Sequence, residues 1–363
     1  MQFEWSASVK PKTSFSIGNR DVGRGNEPFI VAELSGNHCG SLMHALELID
    51  IAASIGADAV KIQTYTADTI TLDSDREEFM IEEGIWAGTK LHDLYSQAYT
   101  PWEWHKALFD RAEMHDLVMF SSPFDTSAVD FLEDLGCPAY KIASFELTDL
   151  YLIEYVASKG KPIIMSTGLA TFEEIAEAVD TVLSSGNCQL ALLHCVSGYP
   201  TPIEDSNLRT LLDLKKRFKV VVGLSDHSLT TTTGTVSVAL GGSIIEKHLV
   251  KSRKSNAIDK DFSLEPNEFK ILIQNCKSAF RSLGSVGYDL KKSEVGGRHF
   301  RRSLYASQFI AKGEEFTNEN VKSVRPAMGL STKYFNKVLL QRATEDIQFG
   351  TPLAQHHLSD GLE

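Results

Sequence analysis

The feature that most constrains the fold is an eightfold alternation of short apolar runs with helical patterns between residues 29 and 283. The runs are rich in β-branched and apolar residues, which is typical of strands buried on both faces. The segments between them repeat apolar residues at helical spacing and mostly end at Gly or Lys, as helix C-termini do. The predicted strands are 29–33, 58–63, 117–122, 139–144, 162–167, 190–195, 220–227 and 243–248.

Alternating strands and helices imply a parallel α/β sheet with right-handed crossovers, and eight units in ~255 residues match a closed (β/α)8 barrel. An open doubly wound sheet is the alternative. It usually carries a glycine-rich turn after its first strand, and the sequence LSGNHCG in that place is a weak nucleotide-binding pattern. We therefore predict a barrel domain over residues 1–283, a polar linker over 284–298 and a small, mainly β domain over 299–358.

Composition excludes several classes of protein. The 363 residues carry a net charge of -12, which disfavours binding to nucleic acid or to an anionic membrane. No apolar run approaches the ~20 residues of a membrane-spanning helix, and the first residues, MQFEWSASVKPKTSF, lack the apolar segment of a signal peptide, so we expect a cytoplasmic protein. The five cysteines are scattered and form no CxxC pair, which indicates buried free thiols rather than disulfides or a structural zinc site.

The connection after the second predicted strand is long. Residues 65–100 carry acidic and aromatic side chains, including the stretches DSDREEF and GIWAGTKLHDLY. An insertion of this length at the carboxyl end of a barrel usually shapes a substrate site. We therefore expect this connection to contribute to one.

Active sites of (β/α)8 barrels lie at the carboxyl ends of the strands, and here every predicted strand ends in polar residues. In chain order these are Glu33; Lys61 and Gln63; Ser121 and Ser122; Lys141 and Ser144; Ser166 and Thr167; His194; Asp226 and His227; and Glu246, Lys247 and His248. A purely structural barrel has no need for lysines, histidines and hydroxyls at all eight ends. The pattern therefore predicts an active site.

Two lysines at these ends suggest two different chemistries. Lys61 and Lys141, together with nearby serines, can donate hydrogen bonds to phosphate or carboxylate oxygens. A lysine in such a place can instead form a Schiff base with a carbonyl substrate. The residue types leave both alternatives open.

Histidines and carboxylates add further candidates. His227 and His248 end the seventh and eighth predicted strands, where two imidazoles can bind one divalent ion, although a histidine pair alone is a weak metal signature. Glu146 and Asp259 are candidates for acid/base chemistry, with helix capping or a surface ion pair as the alternative. Tyr199 lies in the sixth connection, where it either contacts substrate or packs within the loop.

Read in order, these segments resemble the sialic acid synthase family of phosphoenolpyruvate-condensing enzymes. The resemblance extends from Phe29 to about Leu353 and rests on AELSGNHCGS, GADAVKIQTY, FSSPFD, YKIASFE, PIIMSTG, HCVSGYPTP, GLSDHS, EKHL, RRSLYAS and SVRPAMGL. Within the family, residues 71–105 are more similar to pseudaminic acid synthases than to N-acetylneuraminate synthases.

The resemblance implies a (β/α)8 barrel followed by an antifreeze-like (SAF) domain, in a homodimer in which each SAF domain caps the other barrel. It implies that His227 and His248 bind Mn2+, Mg2+ or Co2+, with Glu146 in acid/base chemistry and Glu33 orienting groups. Phosphoenolpyruvate would be held by Lys61, Ser122, Lys141, Ser144, Ser166 and Ser225. The amino sugar would be contacted by Gln63, Tyr199 and Asp259 and, from the other subunit, by Arg325 in SVRP.

The chain departs from the family pattern at two positions. Ser197 stands where N-acetylneuraminate synthases have an asparagine that contacts a carboxylate, and Cys39 stands where asparagine is common. Cys39 either alters the surroundings of the metal or fills a gap.

The activity implied is condensation of phosphoenolpyruvate with 2,4-diacetamido-2,4,6-trideoxy-L-altrose to give pseudaminic acid and phosphate. The alternatives are an N-acetylneuraminate or legionaminic acid synthase, a class I aldolase with a Schiff-base lysine, and a non-enzymatic binding protein that uses its SAF domain.

Overall fold

The computed structural model describes residues 9–362, which form two compact units divided between Gly284 and Ser285. The first unit is a closed barrel of eight parallel strands, and the second is a small β-containing unit. The predicted fold class is confirmed. Residues 1–8, which belong to the stretch that lacks the apolar segment of a signal peptide, lie outside the described residues.

An antiparallel hairpin precedes the barrel, formed by β1 (Ser14–Ile17) and β2 (Arg20–Gly23). Phe15, Ile17 and Val22 are buried in one hydrophobic cluster with Val118 and Val221. Each of these two valines is the first residue of a barrel strand. The hairpin therefore covers the amino ends of the strands. The sequence pattern does not predict it, because each strand has only four residues.

The barrel strands coincide closely with the predicted runs. They are β3 (Phe29–Glu33), β4 (Ala59–Thr64), β5 (Val118–Pro123), β6 (Tyr140–Ile142), β7 (Ile163–Ser166), β8 (Leu190–Cys195), β9 (Val221–Asp226) and β10 (Ile244–His248). Neighbours pair in parallel, and β10 closes the barrel against β3. Strand β6 is shorter than predicted because the chain leaves the ladder to form a 3-10 helix over Ser144–Glu146.

One helix between each pair of successive strands, and one after the last strand, packs around the barrel. These helices are α1 (Leu42–Ile55), α4 (His105–Met114), α5 (Thr126–Asp134), α6 (Leu150–Ser158), α7 (Phe172–Ser184), α8 (Thr210–Phe218), α9 (Thr232–Ala239) and α10 (Pro266–Leu283). The long second connection adds α2 (Ala67–Ile70) and α3 (Leu91–Ala98). Further 3-10 helices of the barrel unit are Ser35–His38, Glu77–Phe79, Trp102–Trp104, Ile203–Ser206 and Lys260–Phe262.

Local sequence explains where these helices begin. The Asp125 carboxylate accepts hydrogen bonds from the N–H groups of Ser127 and Ala128 at the start of α5. Thr171 and Glu174 form a reciprocal capping box at the start of α7. Replacing such a cap by alanine costs about 1 kcal/mol. These caps set the points at which the loops above the barrel pass into helices.

The C-terminal unit has its own small core. Its strands β11 (Ser303–Ala306) and β12 (Val321–Val324) pair antiparallel, and α11 spans Phe335–Val338. Its 3-10 helices are Lys292–Phe300, Thr332–Tyr334 and Gln355–His357. Leu304, Phe316 and other apolar side chains are buried together.

Two expectations about the whole chain can be compared with the structure. Within residues 9–362 no helix has the length and apolar character needed to cross a membrane. All five cysteines are free thiols, and Cys137, Cys195 and Cys276 are buried. The expectation of burial is wrong for Cys39, which is exposed in a turn where its φ of 53° is a conformation that asparagine adopts readily.

Candidate active site

A cavity of about 480 Å³ opens at the carboxyl ends of the barrel strands. We call its buried, charged side the floor, which consists of Lys61, Lys141, Ser166, Ser225 and Glu246. We call the side formed by the long second connection the wall, which consists of Tyr65, Ile70, Ile81, Trp86, Leu91, Leu94, Tyr95 and Ala98. The expectation that residues 65–100 help to shape a cavity at this end of the barrel agrees with this lining.

Lys61 is surrounded by acceptors although almost none of it is exposed. Its Nζ lies 2.5 Å from Glu33 Oε2 and 3.7 Å from Glu246 Oε1, and it donates to Ser122 Oγ at 3.3 Å. Neighbouring parallel strands supply Lys61 and Glu33, which are register partners. A buried charge needs such partners, because an unpaired one costs several kcal/mol, on the order of 3–5.

Lys141 is also held by the Glu246 carboxylate. Its Nζ donates to Glu246 Oε1 at 3.2 Å, and Ser225 Oγ donates to that oxygen at the same distance. Other polar atoms here are buried without any hydrogen-bond partner, namely Glu246 Oε2 and Ser166 Oγ. Leaving such an atom unpaired costs about 1–3 kcal/mol. The floor is therefore arranged to receive a polar ligand.

The electrostatics of the floor favour an anion. Burial raises the pKa of Glu33 to about 7, although Lys61 acts in the opposite direction. The pKa of Glu246 is lowered by Lys141 and Lys61, which together outweigh its burial, so this carboxylate is ionised at neutral pH. Burial lowers the pKa of Lys141, and Glu246 acts in the opposite direction. A phosphate or carboxylate group in the floor would accept hydrogen bonds from both lysines and favour their charged forms.

A close approach of backbone and hydroxyl groups borders the floor. The Gly168 N–H donates to Ser144 Oγ at 3.1 Å. A Cβ atom on Gly168 would lie 2.7 Å from that oxygen and closer still to Ser197 Oγ, so a larger residue does not fit. Gly168 was not among the predicted site residues, although its place directly after the end of β7 was a signal for it.

The two predicted metal ligands lie side by side. The ring centroids of His227 and His248 are 5.4 Å apart, and both residues are buried. His227 Nδ1 donates to the Val196 carbonyl at 3.1 Å, which leaves the lone pair on Nε2. His248 Nδ1 has no hydrogen-bond partner and lies 3.9 Å from Asp259 Oδ2. Two imidazoles with available lone pairs and a nearby carboxylate suit a divalent ion.

The two candidate acid/base residues both line the cavity. Glu146 Oε2 is buried without a partner, and burial raises the pKa of Glu146 to about 7. Burial also raises the pKa of Asp259, whose Oδ2 accepts a hydrogen bond from the Gly36 N–H at 3.2 Å. Neither residue is a surface group. Each faces the space where a substrate would lie.

Aromatic side chains connect the wall to the imidazoles. The Tyr199 ring lies 4.5 Å from His227 and 5.0 Å from Phe262, between ring centroids. Trp86 lies 6.1 Å from Tyr199. This cluster excludes water from one side of the histidine pair. Tyr199 therefore lines the cavity and packs against aromatic residues of other connections.

The structure brings most predicted site residues together. Those that line the cavity are Lys61, Gln63, Lys141, Ser144, Glu146, Ser166, Tyr199, Ser225, His227, His248 and Asp259. Glu33 and Ser122 lie behind Lys61, and Ser197 lies against Gly168. Arg325 is exposed after β12 in the C-terminal unit. Cys39 is exposed and is not among the lining residues.

A second group of potential metal ligands occurs in the C-terminal unit. Among residues 9–362, only Glu345, His356 and His357 place three such atoms within 4.8 Å of one another. However, the Ala354 N–H donates to His357 Nδ1 at 3.0 Å, so the ring proton of neutral His357 is on Nε2, the atom that faces Glu345. That nitrogen has no lone pair for a metal, and we assign none there.

The fold and the site together define a barrel enzyme whose cavity combines two buried lysines with a pair of imidazoles. The sequence profile of the NeuB family matches residues 48–288, and that of the SAF domain matches residues 301–359. The chain belongs to the NeuB family, which confirms the family resemblance found in the sequence.

Individual relatives are similar along nearly the whole chain. The chain is 45% identical over 339 residues to the pseudaminic acid synthase of Campylobacter jejuni, covering 93% of this chain and 98% of the relative. It is 41% identical to the pseudaminic acid synthase of Helicobacter pylori, with 92% and 99% covered. The crystal structure of an N-acetylneuraminic acid synthetase from Leptospira borgpetersenii, in complex with citrate, is similar with a TM-score of 0.71, 30% identity and 79% and 96% covered.

Proposed function

We propose that this protein condenses phosphoenolpyruvate with 2,4-diacetamido-2,4,6-trideoxy-L-altrose and water, giving pseudaminic acid and phosphate. The observation that carries the proposal is the buried pair Lys61 and Lys141, which share Glu246 beside two imidazoles. The chain's similarity to two pseudaminic acid synthases over more than nine-tenths of its length supports the choice of sugar.

The floor is the binding site for phosphoenolpyruvate. The ammonium groups of Lys61 and Lys141 and the hydroxyls of Ser166 and Ser225 donate to its phosphate and carboxylate oxygens. Ser144 and Ser122 extend the same set of hydroxyls, and Gly168 leaves room for the hydroxyls of Ser144 and Ser197, which any larger side chain would displace. Ser197 contributes its hydroxyl at the place where asparagine is found in N-acetylneuraminate synthases.

His227 and His248 would hold a divalent ion such as Mn2+, Mg2+ or Co2+, which acts as a Lewis acid on the aldehyde of the open-chain sugar when it is bound. The chain itself contributes the orientation of both rings, since His227 is fixed by its hydrogen bond to Val196 and His248 packs 4.8 Å from Phe262, between ring centroids. Glu33 orients Lys61 toward the cavity through their ion pair.

The chemistry proceeds by two additions. The C3 atom of the enol attacks the aldehyde carbon, a C–C bond forms, and the aldehyde oxygen takes up a proton to become a hydroxyl. Water then adds to C2 and gives its proton to the buried carboxylate of Glu146, whose pKa of about 7 suits a general base near neutral pH. The tetrahedral intermediate expels phosphate as the bond from C2 to the phosphate oxygen breaks, and its C2 hydroxyl becomes the keto group by giving its proton to the departing phosphate. Lys141 stabilises the anionic groups throughout.

The wall is the binding surface for the sugar. Ile70, Ile81, Leu91 and Leu94 offer apolar contacts that match the C6 methyl and the two acetamido methyl groups of a 6-deoxy diacetamido sugar. Gln63, Tyr199 and Asp259 supply polar contacts at the edge of this surface. N-acetylmannosamine, which has a hydroxyl at C6 and one acetamido group, matches it less well.

The proposal includes a homodimer in which each SAF domain caps the barrel of a second copy. The exposed Arg325 has a guanidinium group whose fixed fork of donors suits the oxygens of an acetamido sugar. A two-fold dimer would then contain two composite sites.

A phosphate-release assay tests the proposal. The protein is supplied with phosphoenolpyruvate and Mn2+ and with each of three sugars: the altro-configured diacetamido sugar, its manno-configured counterpart that leads to legionaminic acid, and N-acetylmannosamine. We expect the highest kcat/KM with the first sugar and a product whose mass is that of pseudaminic acid. Equal or better use of N-acetylmannosamine contradicts the sugar assignment. A borohydride-trapped adduct on a lysine would contradict the mechanism and support an aldolase.

A further inference from the structure

A second buried ion pair lies on the opposite side of the strands from the cavity. Asp226 and Lys247 are register partners on the neighbouring strands β9 and β10. Lys247 Nζ lies 2.6 Å from Asp226 Oδ2, and the two side chains are 0% and 5% exposed, respectively. Successive side chains of a strand alternate between faces, so this pair points away from the cavity that its sequence neighbours line.

Each member of the pair directly precedes one of the two histidines. His227 follows Asp226, and His248 follows Lys247. The pair therefore joins the two strand ends at the points from which the imidazoles project. The two histidines face the cavity, and the residues directly before them, Asp226 and Lys247, face away from it.

Further hydrogen bonds fix the backbone on the other side of His227. Asp226 Oδ1 accepts from the Ser228 N–H at 2.9 Å and from its hydroxyl at 2.7 Å, and Oδ2 accepts from the Thr233 hydroxyl at 2.5 Å. Lys247 Nζ donates to the Ser228 carbonyl. Residues on both sides of His227 are thus tied to the residue before His248.

The ring of His248 depends on this arrangement more than that of His227. His227 has its own hydrogen bond to Val196, but His248 Nδ1 has no hydrogen-bond partner. The position of the His248 ring is therefore set by its backbone, by packing against Phe262 and by the nearby Asp259 carboxylate. A buried ion pair contributes little net stability compared with apolar side chains of similar size, so stability alone does not account for Asp226 and Lys247.

We propose that Asp226 and Lys247 are positioning residues that set the separation and orientation of His227 and His248 for a single divalent ion. The inference rests on the proposed metal site. It predicts that the pair contributes to metal affinity without touching the metal or either substrate. Residues beyond the first ligands commonly change metal affinity by about 10–100-fold when they are replaced.

The test measures metal binding by the full-length, metal-free protein. Mn2+ binding is followed by electron paramagnetic resonance, and the Co2+ protein is examined by its visible ligand-field spectrum. In the double variant Asp226→Leu with Lys247→Met, apolar side chains replace the pair at similar volume. We expect Mn2+ to bind ~10–100-fold more weakly, the Co2+ spectrum to shift, and phosphoenolpyruvate affinity without metal to stay unchanged.

A matched control lies at the other end of the barrel. Asp58 precedes β4 and pairs with Lys277 at 3.5 Å, far along the strand from the cavity. We expect Asp58→Asn to lower the melting temperature without changing Mn2+ affinity. If the double variant does not fold, the single variant Asp226→Asn decides by the same titration, since it keeps the hydrogen-bonding shape and removes the charge.

Two outcomes would overturn the inference, and they differ in meaning. A folded variant that binds Mn2+ as tightly as the wild-type chain and has the same Co2+ spectrum would exclude a positioning role while leaving the proposed function intact. Full condensing activity of the wild-type protein in excess chelator would instead remove the metal site itself, and with it the role of the pair.

Discussion

The floor and the wall of the cavity are built differently. Lys61 and Lys141 of the floor project from barrel strands, and their side chains are 3% and 2% exposed. Trp86 and Leu91 of the wall come from a long connection and are only half-buried. The floor is therefore held by the strand ladder, whereas the wall depends on loop packing. We therefore expect substitutions in the floor to affect the use of phosphoenolpyruvate with every sugar, and substitutions in the wall to affect the choice of sugar.

Replacing Lys141 should give the largest effect of any substitution in the floor. Replacing Lys141 by alanine leaves Glu246 with one cationic partner fewer in a buried site. We expect kcat/KM for phosphoenolpyruvate to fall by at least ~10³-fold with every sugar, because electrostatic stabilisation is lost from the floor. Phosphate release measures this effect. The control is Lys161→Ala, which removes a partly exposed lysine paired with Glu133. A loss confined to one sugar would contradict the assignment of the floor to phosphoenolpyruvate.

Glu146 tests whether a buried carboxyl group at the edge of the floor acts as a base. We expect Glu146→Gln to lower kcat by ~10²–10⁴-fold. In the wild-type protein kcat should rise as pH increases through about 7, where the buried carboxyl ionises, and this limb should be absent in the variant. A wild-type pH profile that is flat between pH 6 and 8 would exclude this role.

Glu146→Gln should lower kcat but raise the stability of the folded protein above neutral pH. The raised pKa means that the folded state holds the Glu146 proton more tightly than the unfolded state, whose value is close to 4.5. Stability from this group is therefore present below pH 4.5 and is lost as pH rises through about 7, by up to ~3 kcal/mol. Glu146→Gln should have the higher melting temperature at pH 8, and the difference should disappear below pH 4.5, where the carboxyl group is protonated in both states.

Replacing Arg325 tests whether a second chain completes the wall of the cavity. We expect Arg325→Ala to lower kcat/KM for the sugar by ~10²-fold with an unchanged melting temperature, because charge-assisted hydrogen bonds to the sugar are lost. Mixing it with Lys141→Ala should restore up to about a quarter of wild-type activity, since half of randomly formed dimers would contain one intact composite site. If subunit exchange is demonstrated and no activity returns, Arg325 does not act across a dimer.

Trp86 gives the smallest expected effect and the sharpest test of the wall. Trp86→Ala removes apolar surface beside Tyr199 without touching the lysines. We expect the preference for the diacetamido sugar over N-acetylmannosamine to fall by ~10-fold, since differences of one or two apolar groups are worth about 1–3 kcal/mol. The KM for phosphoenolpyruvate should not change. Trp102→Ala is a control, because this side chain stacks on Phe131 and is not among the cavity-lining residues.

The difference between strand-borne floor and loop-borne wall also explains how much could be predicted from the sequence. The predicted ends of the barrel strands lie within about two residues of the observed ends, because burial on both faces produces continuous apolar runs. Ser144 and Glu146 were placed near the right strand, but their 3-10 helix was not predicted, because its pattern is too short to show a period. The role of Glu246 as the shared partner of two lysines was missed, since it depends on which strands the closed barrel brings together.

The wall shows where such prediction ends. Residues 65–100 were expected to shape a substrate site, yet nothing in their spacing indicates that Ile81 and Trp86 face the cavity while Ile85 is exposed. Loops lack a regular repeat that assigns side chains to faces. The N-terminal hairpin was not predicted for a related reason, since Phe15, Ile17 and Val22 are too few to form a recognisable pattern.

That hairpin has a consequence for the order of events during turnover. Because β1 and β2 pack at the amino ends of the strands, the cavity lies at the opposite end of the barrel, and the floor is its most buried side. If phosphoenolpyruvate binds to the floor as proposed, a sugar against the wall would lie between it and solvent. We therefore expect phosphoenolpyruvate to bind before the sugar and phosphate to leave after the nine-carbon product.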